Sequence, residues 1–408
     1  FYYMTYNDSI QRKPKCLQLG KYIEEIQLII HGQGVIIFDA SNNCALTFVN
    51  NNNVPGLRVC FADTGVHVHM EPSNEPLTDK ENTKGILVNV KGAYYWFSID
   101  AQNQRLYAGI GEARKENIIY SYQFPKENRE NRENTKLFLE SLVKVRVYNL
   151  QVTNILRDPI KKKVPLIVKN LDDLTMETIA AGLYIPRANL SIMSQKLYDC
   201  IAGKQFVLNT PDFPDFIQAI EYSIATPGKW CYECLKQKAT EFDKDKPNEN
   251  ETYLRITLGE NNGESPGVPY VMEIWPVGHY SPIHNHGGAS AIIRVLNGSI
   301  HVSLFPFLSG DYTTPFTTTN FEKDDITWIS PTLNQVHQLK NLDTNKDTCI
   351  TIQCYMYETD DNKHYDYFDY LDGNNVQQPF EPNSDMEFIE FKKTIKNEWS
   401  LKKCCSVN

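Results

Sequence analysis

Residues 278–298 read GHYSPIHNHGGASAIIRVLNG, and this stretch decides what the second half of the chain is. Two histidines, His284 and His286, stand one residue apart, with VPYVMEIWPV ahead of them and SAIIRVL behind. Both flanks are rich in β-branched and aromatic residues, the composition of strands. Positions i and i+2 of a strand face one side, so both imidazoles are expected to enter one cavity. A neutral imidazole is the commonest metal ligand, but two donors do not make a tight site. A third is offered by His337 in SPTLNQVHQLKN, again just ahead of strand-like sequence. Three neutral histidines on one face of an ion leave the opposite face open to substrate and dioxygen. That suits Fe(II) better than a closed structural zinc site.

Working outward, 408 residues are too many for one ordinary core, so two or three domains are expected. A hydrophobic content of 41% with 22% charged residues describes a globular chain, and 23 Tyr with 19 Phe favour β-rich cores. The formal charge of −9 excludes nucleic acid as a partner, because no basic excess exists to neutralise phosphates. No apolar run approaches membrane-spanning length. The ten cysteines are scattered, unlike a dense disulfide framework, and read as reduced thiols of a cytoplasmic protein. The first residue is Phe1 rather than Met, which leaves room for a removed leader.

Residues 1–153 carry many short strand-like runs separated by turn clusters such as SNNC and NNNVPG, the pattern of a β-sandwich or jelly roll. The polar near-repeat KENRENRENTK, residues 126–136, reads as a solvated loop. Residues 154–205 form a connector, with helical spacing in DLTMETIAAGLYI. From 206 the pattern changes. Asp212 is expected to cap a helix with Phe216, Ile217, Ile220 and Ile224 on its apolar face and Pro214 in its first turn. A second short helix is expected over CYECLKQKA, and strands dominate to Tyr357. DMEFIEFKKTIKNEWSLKK is an amphipathic helix candidate before the 401–408 tail.

The spacing around the histidine pair is specific. Gly278, His284, His286, Ala291 and Gly298 reproduce the first cupin motif, with Ala291 in place of the acidic ligand. The second motif surrounds His337 in relaxed form, with Asn334 at the turn-glycine position and Asn341 four residues on. Asn tolerates the left-handed conformation such a turn needs. The whole chain is therefore expected to be mainly β: an N-terminal sandwich, then a cupin barrel over 206–400 with preceding helices and a C-terminal helix.

A cupin that lacks the acidic ligand and keeps three histidines resembles the cysteine dioxygenase family, over about residues 206–357. ATPGKW resembles that family's helix end, and YLRITL its strand bearing a tyrosine and the carboxylate-gripping arginine. The resemblance assigns those roles to Tyr253 and Arg255. A guanidinium fork matches a carboxylate and stays charged. The family's Ser, His, Tyr series falls on Thr351, Gln353 and Tyr355 in TCITIQCYMYE, with period two placing all three toward the cavity and Cys354 away. Gln353 can orient Tyr355 but cannot titrate near neutrality. Ala291 also occupies the place of the thioether-forming cysteine, so no crosslink to Tyr355 is expected there. YYWFSIDAQNQRLYAGIGE in the first domain is similar to part of the β-sandwich named after farnesoic acid methyltransferases.

Three further motifs read as bland. VHVHM, residues 66–70, holds a second His-x-His pair, but no cupin glycine spacing surrounds His67 and His69. CYEC, residues 231–234, has no second CxxC and is read as buried or idle thiols. The terminal Cys405-Ser406-Val407-Asn408 fits a prenylation frame with a disfavoured last residue.

These residues imply a non-haem Fe(II) thiol dioxygenase that converts L-cysteine, or a related carboxylate-bearing thiol, and O2 to a sulfinic acid. The catalytic set is Tyr355, Arg255, Gln353 and Thr351, with Arg255 and Tyr253 binding substrate. The competing reading is a cupin whose catalysis has decayed. The sandwich would then carry the main role, binding a carbohydrate or protein or building a homo-oligomer.

Overall fold

The computed structural model describes residues 20–40, 43–62, 65–77, 90, 92–161, 163–259, 270–357 and 368–405. Phe1, where a leader was considered, and the last three residues of the prenylation frame lie outside the described residues. The chain forms two compact units, Phe1–Lys162 and Lys163–Asn408. Among the described residues no helix is long and apolar enough to cross a membrane.

In the first unit, alternating hydrophobic runs build two antiparallel sheets. One has six strands in the order Glu24–Gln27, Leu142–Tyr148, Cys44–Asn50, Pro55–Ala62, Gly65–Met70, Glu75–Pro76. The other has five, in the order Gln151–Leu156, Gln33–Asp39, Tyr95–Asp100, Arg105–Ile110, Ile118–Gln123. Aromatic rings close the space between them: Phe38 meets Phe61 at 4.9 Å and Phe48 meets Phe97 at 5.5 Å between ring centres. This is the expected sandwich.

Two expectations for this unit are corrected. Most of KENRENRENTK is helix, Arg129–Glu140, rather than loop. Asn128 caps it by accepting from the Asn131 amide, and Arg129–Glu133 and Lys136–Glu140 are paired one turn apart. Leu139 supplies its buried anchor. A polar segment is therefore helical because its caps and pairs agree and one leucine reaches the core. In addition, Cys60 is disulfide-bonded, against the expectation that every thiol is reduced, whereas Cys44, Cys200, Cys231, Cys234, Cys349 and Cys354 are free. Cysteines scattered along a sequence give no spacing signal for the bridge they form.

The second unit is a double-sheet β barrel with helices on its outside. Its large sheet runs Tyr184–Pro186, Ile167–Lys169, Ile326–Ile329, Ser290–Asn297, Cys349–Met356, Tyr270–Trp275, Leu254–Thr257, Met386–Glu387. The opposing wall is the three-stranded sheet Thr317–Glu322, Ser299–Leu304, His337–Lys340, with the hairpin Phe368–Leu371 and Gln377–Phe380 beside it. This is the cupin architecture.

Period two divides the large sheet into an outer and an inner face. Outward, Leu254, Ile256, Met272, Ile274 and Ile350 pack on Phe216, Ile220, Cys231 and Leu235 of the helices Phe216–Ala225 and Trp230–Gln237. Phe391 and Ile395 of the C-terminal helix Phe388–Cys405 join the same core. Ile292, Ile352 and Cys354 pack on Leu197, Tyr198 and Ile201 of the helix Ile192–Ile201. Inward-facing residues line the cavity. The helix expected to be capped by Asp212 instead begins at Phe216, with Asp215 at its N-cap, so Pro214 precedes it. Asn209 accepts from the Ile217 amide and does the satisfying that a capping aspartate would have done.

Candidate metal centre

The two histidine segments meet through their backbones. His284 and His337 each donate an amide hydrogen to the other's carbonyl at 3.0 Å, a reciprocal antiparallel bridge. His337 opens its strand, whereas His284 and His286 sit in extended chain before the strand Ser290–Asn297 rather than inside one. The strand placement expected for the pair is corrected to this extent. The two-residue alternation holds because the chain is extended.

Special backbone conformations make the approach possible. Gly278 lies at φ 85° and Gly298 at φ 68°, and Asn334 takes φ 63°, the left-handed turn expected of it. Asn334 is then held by its side chain, which donates to Trp328 O at 3.0 Å. Asn341 is fully buried and donates to Trp275 O at 2.8 Å and Asp347 O at 3.0 Å, pinning the far end of the His337 strand. Gln335 went unremarked in the sequence. Its amide donates to Ala289 O at 2.9 Å and its carbonyl accepts from the Gly288 amide at 3.0 Å, tying the His337 turn to the turn after His286.

Side-chain tautomers follow from these contacts. His284 Nδ1 stands 3.0 Å from Pro282 O and His337 Nδ1 stands 3.2 Å from Asn334 O. A carbonyl only accepts, so both Nδ1 atoms carry hydrogen and both Nε2 atoms present lone pairs. Burial depresses the basicity of all three rings: His284 is lowered to about 4, His337 to about 3 and His286 well below its ordinary value. They are neutral near pH 7, as ligands must be.

The three ligand atoms lie within 4.8 Å of one another, and His286 Nε2 stands 3.1 Å from His337 Nε2. A first-row ion with nitrogens at about 2.0–2.1 Å and right angles between them places adjacent nitrogens about 3 Å apart. The His286 and His337 nitrogens match that spacing. Among the described residues no carboxylate or thiol joins this cluster of three candidate ligands.

His286 is clamped between rings, edge-on to Phe368 at 4.5 Å and stacked with Tyr355 at 5.6 Å. Tyr355 is fully buried and donates its hydroxyl hydrogen to Gln353 Oε1. Gln353 in turn donates to Glu273 Oε2 and, at 3.2 Å, to Thr351 Oγ1. Thr351, Gln353 and Tyr355 therefore form one chain of contacts, with Thr351 behind the other two. Cys354 points away, packed against the helix Ile192–Ile201, as period two requires.

Arg255 lines the same cavity as the three histidines, but its guanidinium donates to Glu273 Oε1 at 2.9 Å. The two residues are direct cross-strand partners, and Glu273 is opposite Thr351 on its other side. Glu273 is 5% exposed and burial raises its pKa, against the lowering effect of Arg255. It is the functional candidate the sequence reading passed over. The available signal was a lone charge inside the apolar strand YVMEIW. Tyr253 lines the cavity too, stacked on Trp275 at 4.1 Å.

The cavity is about 60 Å³ in size. Most of the rest of its wall is apolar, with Ile293, Val295, Val302, Leu304, Phe321 and Leu339 prominent and Thr327 and Asn334 among the polar exceptions.

The remaining motifs stay apart from this centre. His67 and His69 lie in the strand Gly65–Met70, opposite Cys60 and Arg58, and belong to no metal-ligand cluster among the described residues. Cys231 is buried, its thiol pushed far up by burial, and Cys234 is pushed up to about 12, so neither is a thiolate.

No family model matches the chain. Solved structures similar to it include the cupin domain of Schizosaccharomyces pombe Cnp3, at 17% identity over 26% of this chain and 66% of that one, TM-score 0.21. A Cupin_2 domain of an XRE family transcriptional regulator from Enterobacter cloacae matches at 12% identity over 26% of this chain and 96% of that one, TM-score 0.21. The DMSP lyase DddQ from Ruegeria pomeroyi matches at 16% identity over 26% of this chain and 48% of that one, TM-score 0.20. These likenesses are confined to about a quarter of the chain, and the site's chemistry rests on its own residues.

Proposed function

We propose that the second unit is a metal-dependent thiol dioxygenase acting on a small thiol. The observation that carries this reading is the convergence of three neutral imidazoles, with no carboxylate in the cluster among the described residues, on the wall of one cavity. Fe(II) is the ion such a donor set suits when dioxygen is to be used, supplying a binding site for thiolate and the redox capacity to engage O2. The net reaction balances without a further reductant: both oxygen atoms go to sulfur, which gives up four electrons, and O2 takes four.

The chain's own residues supply orientation and a dry enclosure. His284 and His337 are held in the ligating tautomer by backbone carbonyls, and the Gln335 clamp ties the His337 turn to the turn after His286. Apolar walls exclude water, which strengthens every polar contact inside. Tyr355 stands over His286 with its hydroxyl fixed by Gln353, ready to orient a ligand next to the triad. The competing reading, a cupin with decayed catalysis, draws on the same Gln353, because the Tyr355 hydrogen is already engaged by it.

One experiment separates them. The purified chain is loaded with Fe(II) anaerobically, and oxygen uptake is followed with small thiols. The dioxygenase reading expects one O2 consumed per sulfinate formed and loss of both iron and uptake in His284→Ala. Stoichiometric iron without uptake would favour the decayed cupin.

A further inference from the structure

We propose that Glu273 makes this cavity selective against carboxylates, so that its substrate is a small thiol ending in an ammonium rather than in a carboxylate. The inference rests on the thiol reading above and changes its substrate class. Arg255 is the cationic side chain of the cavity wall, and its guanidinium is matched at 2.9 Å by Glu273, with both side chains about 5% exposed. The pairing is built into the sheet, since Arg255 and Glu273 are register partners on adjacent strands. The second Glu273 oxygen accepts from Gln353, so the carboxylate is oriented from two sides.

A substrate carboxylate entering here either brings a second anion beside the buried Glu273 or displaces it from Arg255 and leaves it without its counter-charge, and both are unfavourable. An ammonium group does the reverse. It adds a second cation beside Glu273 without breaking any existing contact, because each carboxylate oxygen accepts more than one hydrogen bond.

The test uses two thiols of nearly equal length that differ at the far end, 2-aminoethanethiol and 3-mercaptopropionate. Each is titrated calorimetrically into the full chain, zinc-loaded and metal-free, so that binding is read without turnover. The wild type is expected to bind the amine at least about tenfold more tightly. Glu273→Gln, which keeps the shape and releases Arg255, is expected to invert the order. Should that variant not fold, Arg255→Gln is expected to leave the amine preference in place and weaken 3-mercaptopropionate further. A wild type that prefers 3-mercaptopropionate, or a preference unmoved by Glu273→Gln, overturns the proposal. Iron-loaded protein that keeps the amine preference but consumes no oxygen with either thiol overturns the dioxygenase reading alone and leaves the charge selection standing.

Discussion

The chain contains two His-x-His pairs on extended backbone, and they come to opposite ends. His67 and His69 sit mid-sheet in the first unit, between Pro55–Ala62 and Glu75–Pro76, with ordinary strand neighbours opposite them. His284 and His286 sit just outside a strand, where the backbone of His337 bridges to His284 and the Gln335 side chain closes the gap. Facing one side is common to both pairs. What distinguishes the second is a third imidazole delivered by a separate segment and turns that allow the close approach. A pair of ligands is a local pattern, whereas a metal centre is a tertiary one.

That contrast can be broken by mutation. The largest effect is expected from His286→Ala, which removes the ligand nearest His337 and should abolish metal binding and oxygen consumption together, read by metal analysis and an oxygen electrode. Next comes Tyr355→Phe, which keeps the ring stacked on His286 but deletes the hydroxyl. It should leave metal content intact and lower kcat by roughly 100-fold, the low end of what a positioned donor carries, because the hydroxyl hydrogen is shared with Gln353. Asn334→Val is smaller. A β-branched residue at φ 63° costs about 1–2 kcal/mol, and the Trp328 contact is lost as well. Thermal denaturation should show the lowered stability, and a metal titration a weaker site through the displaced His337. The smallest effect is expected from His69→Ala in the other pair, with metal content unchanged and stability within about 1 kcal/mol of the wild type.

How much of this was legible beforehand follows the same division. The glycine and histidine spacings point to the barrel and to the three clustered histidines because the turns need particular residues at particular positions. Gly278, Gly298 and Asn334 all take left-handed conformations in the structure. The Thr351, Gln353, Tyr355 row came from the resemblance to a known family, and period two added only which way the three face. Glu273 was not, because its meaning lies in a cross-strand register with Arg255 that the two separate segments do not announce. The Gln335 clamp was hidden for the same reason. The helix Arg129–Glu140 was missed by a different route: its polar composition argued for a loop, and a single buried leucine with an Asn cap decided otherwise. The disulfide at Cys60 had no local signal at all.

The most direct test is the metal content of three full-length proteins purified side by side and dialysed against the same Fe(II) buffer: wild type, His337→Ala and His67→Ala. Convergence of the three imidazoles predicts about one ion per chain in the wild type and in His67→Ala, and almost none in His337→Ala. Equal metal in His337→Ala and wild type would contradict it, because the ion would then be held somewhere other than between these histidines.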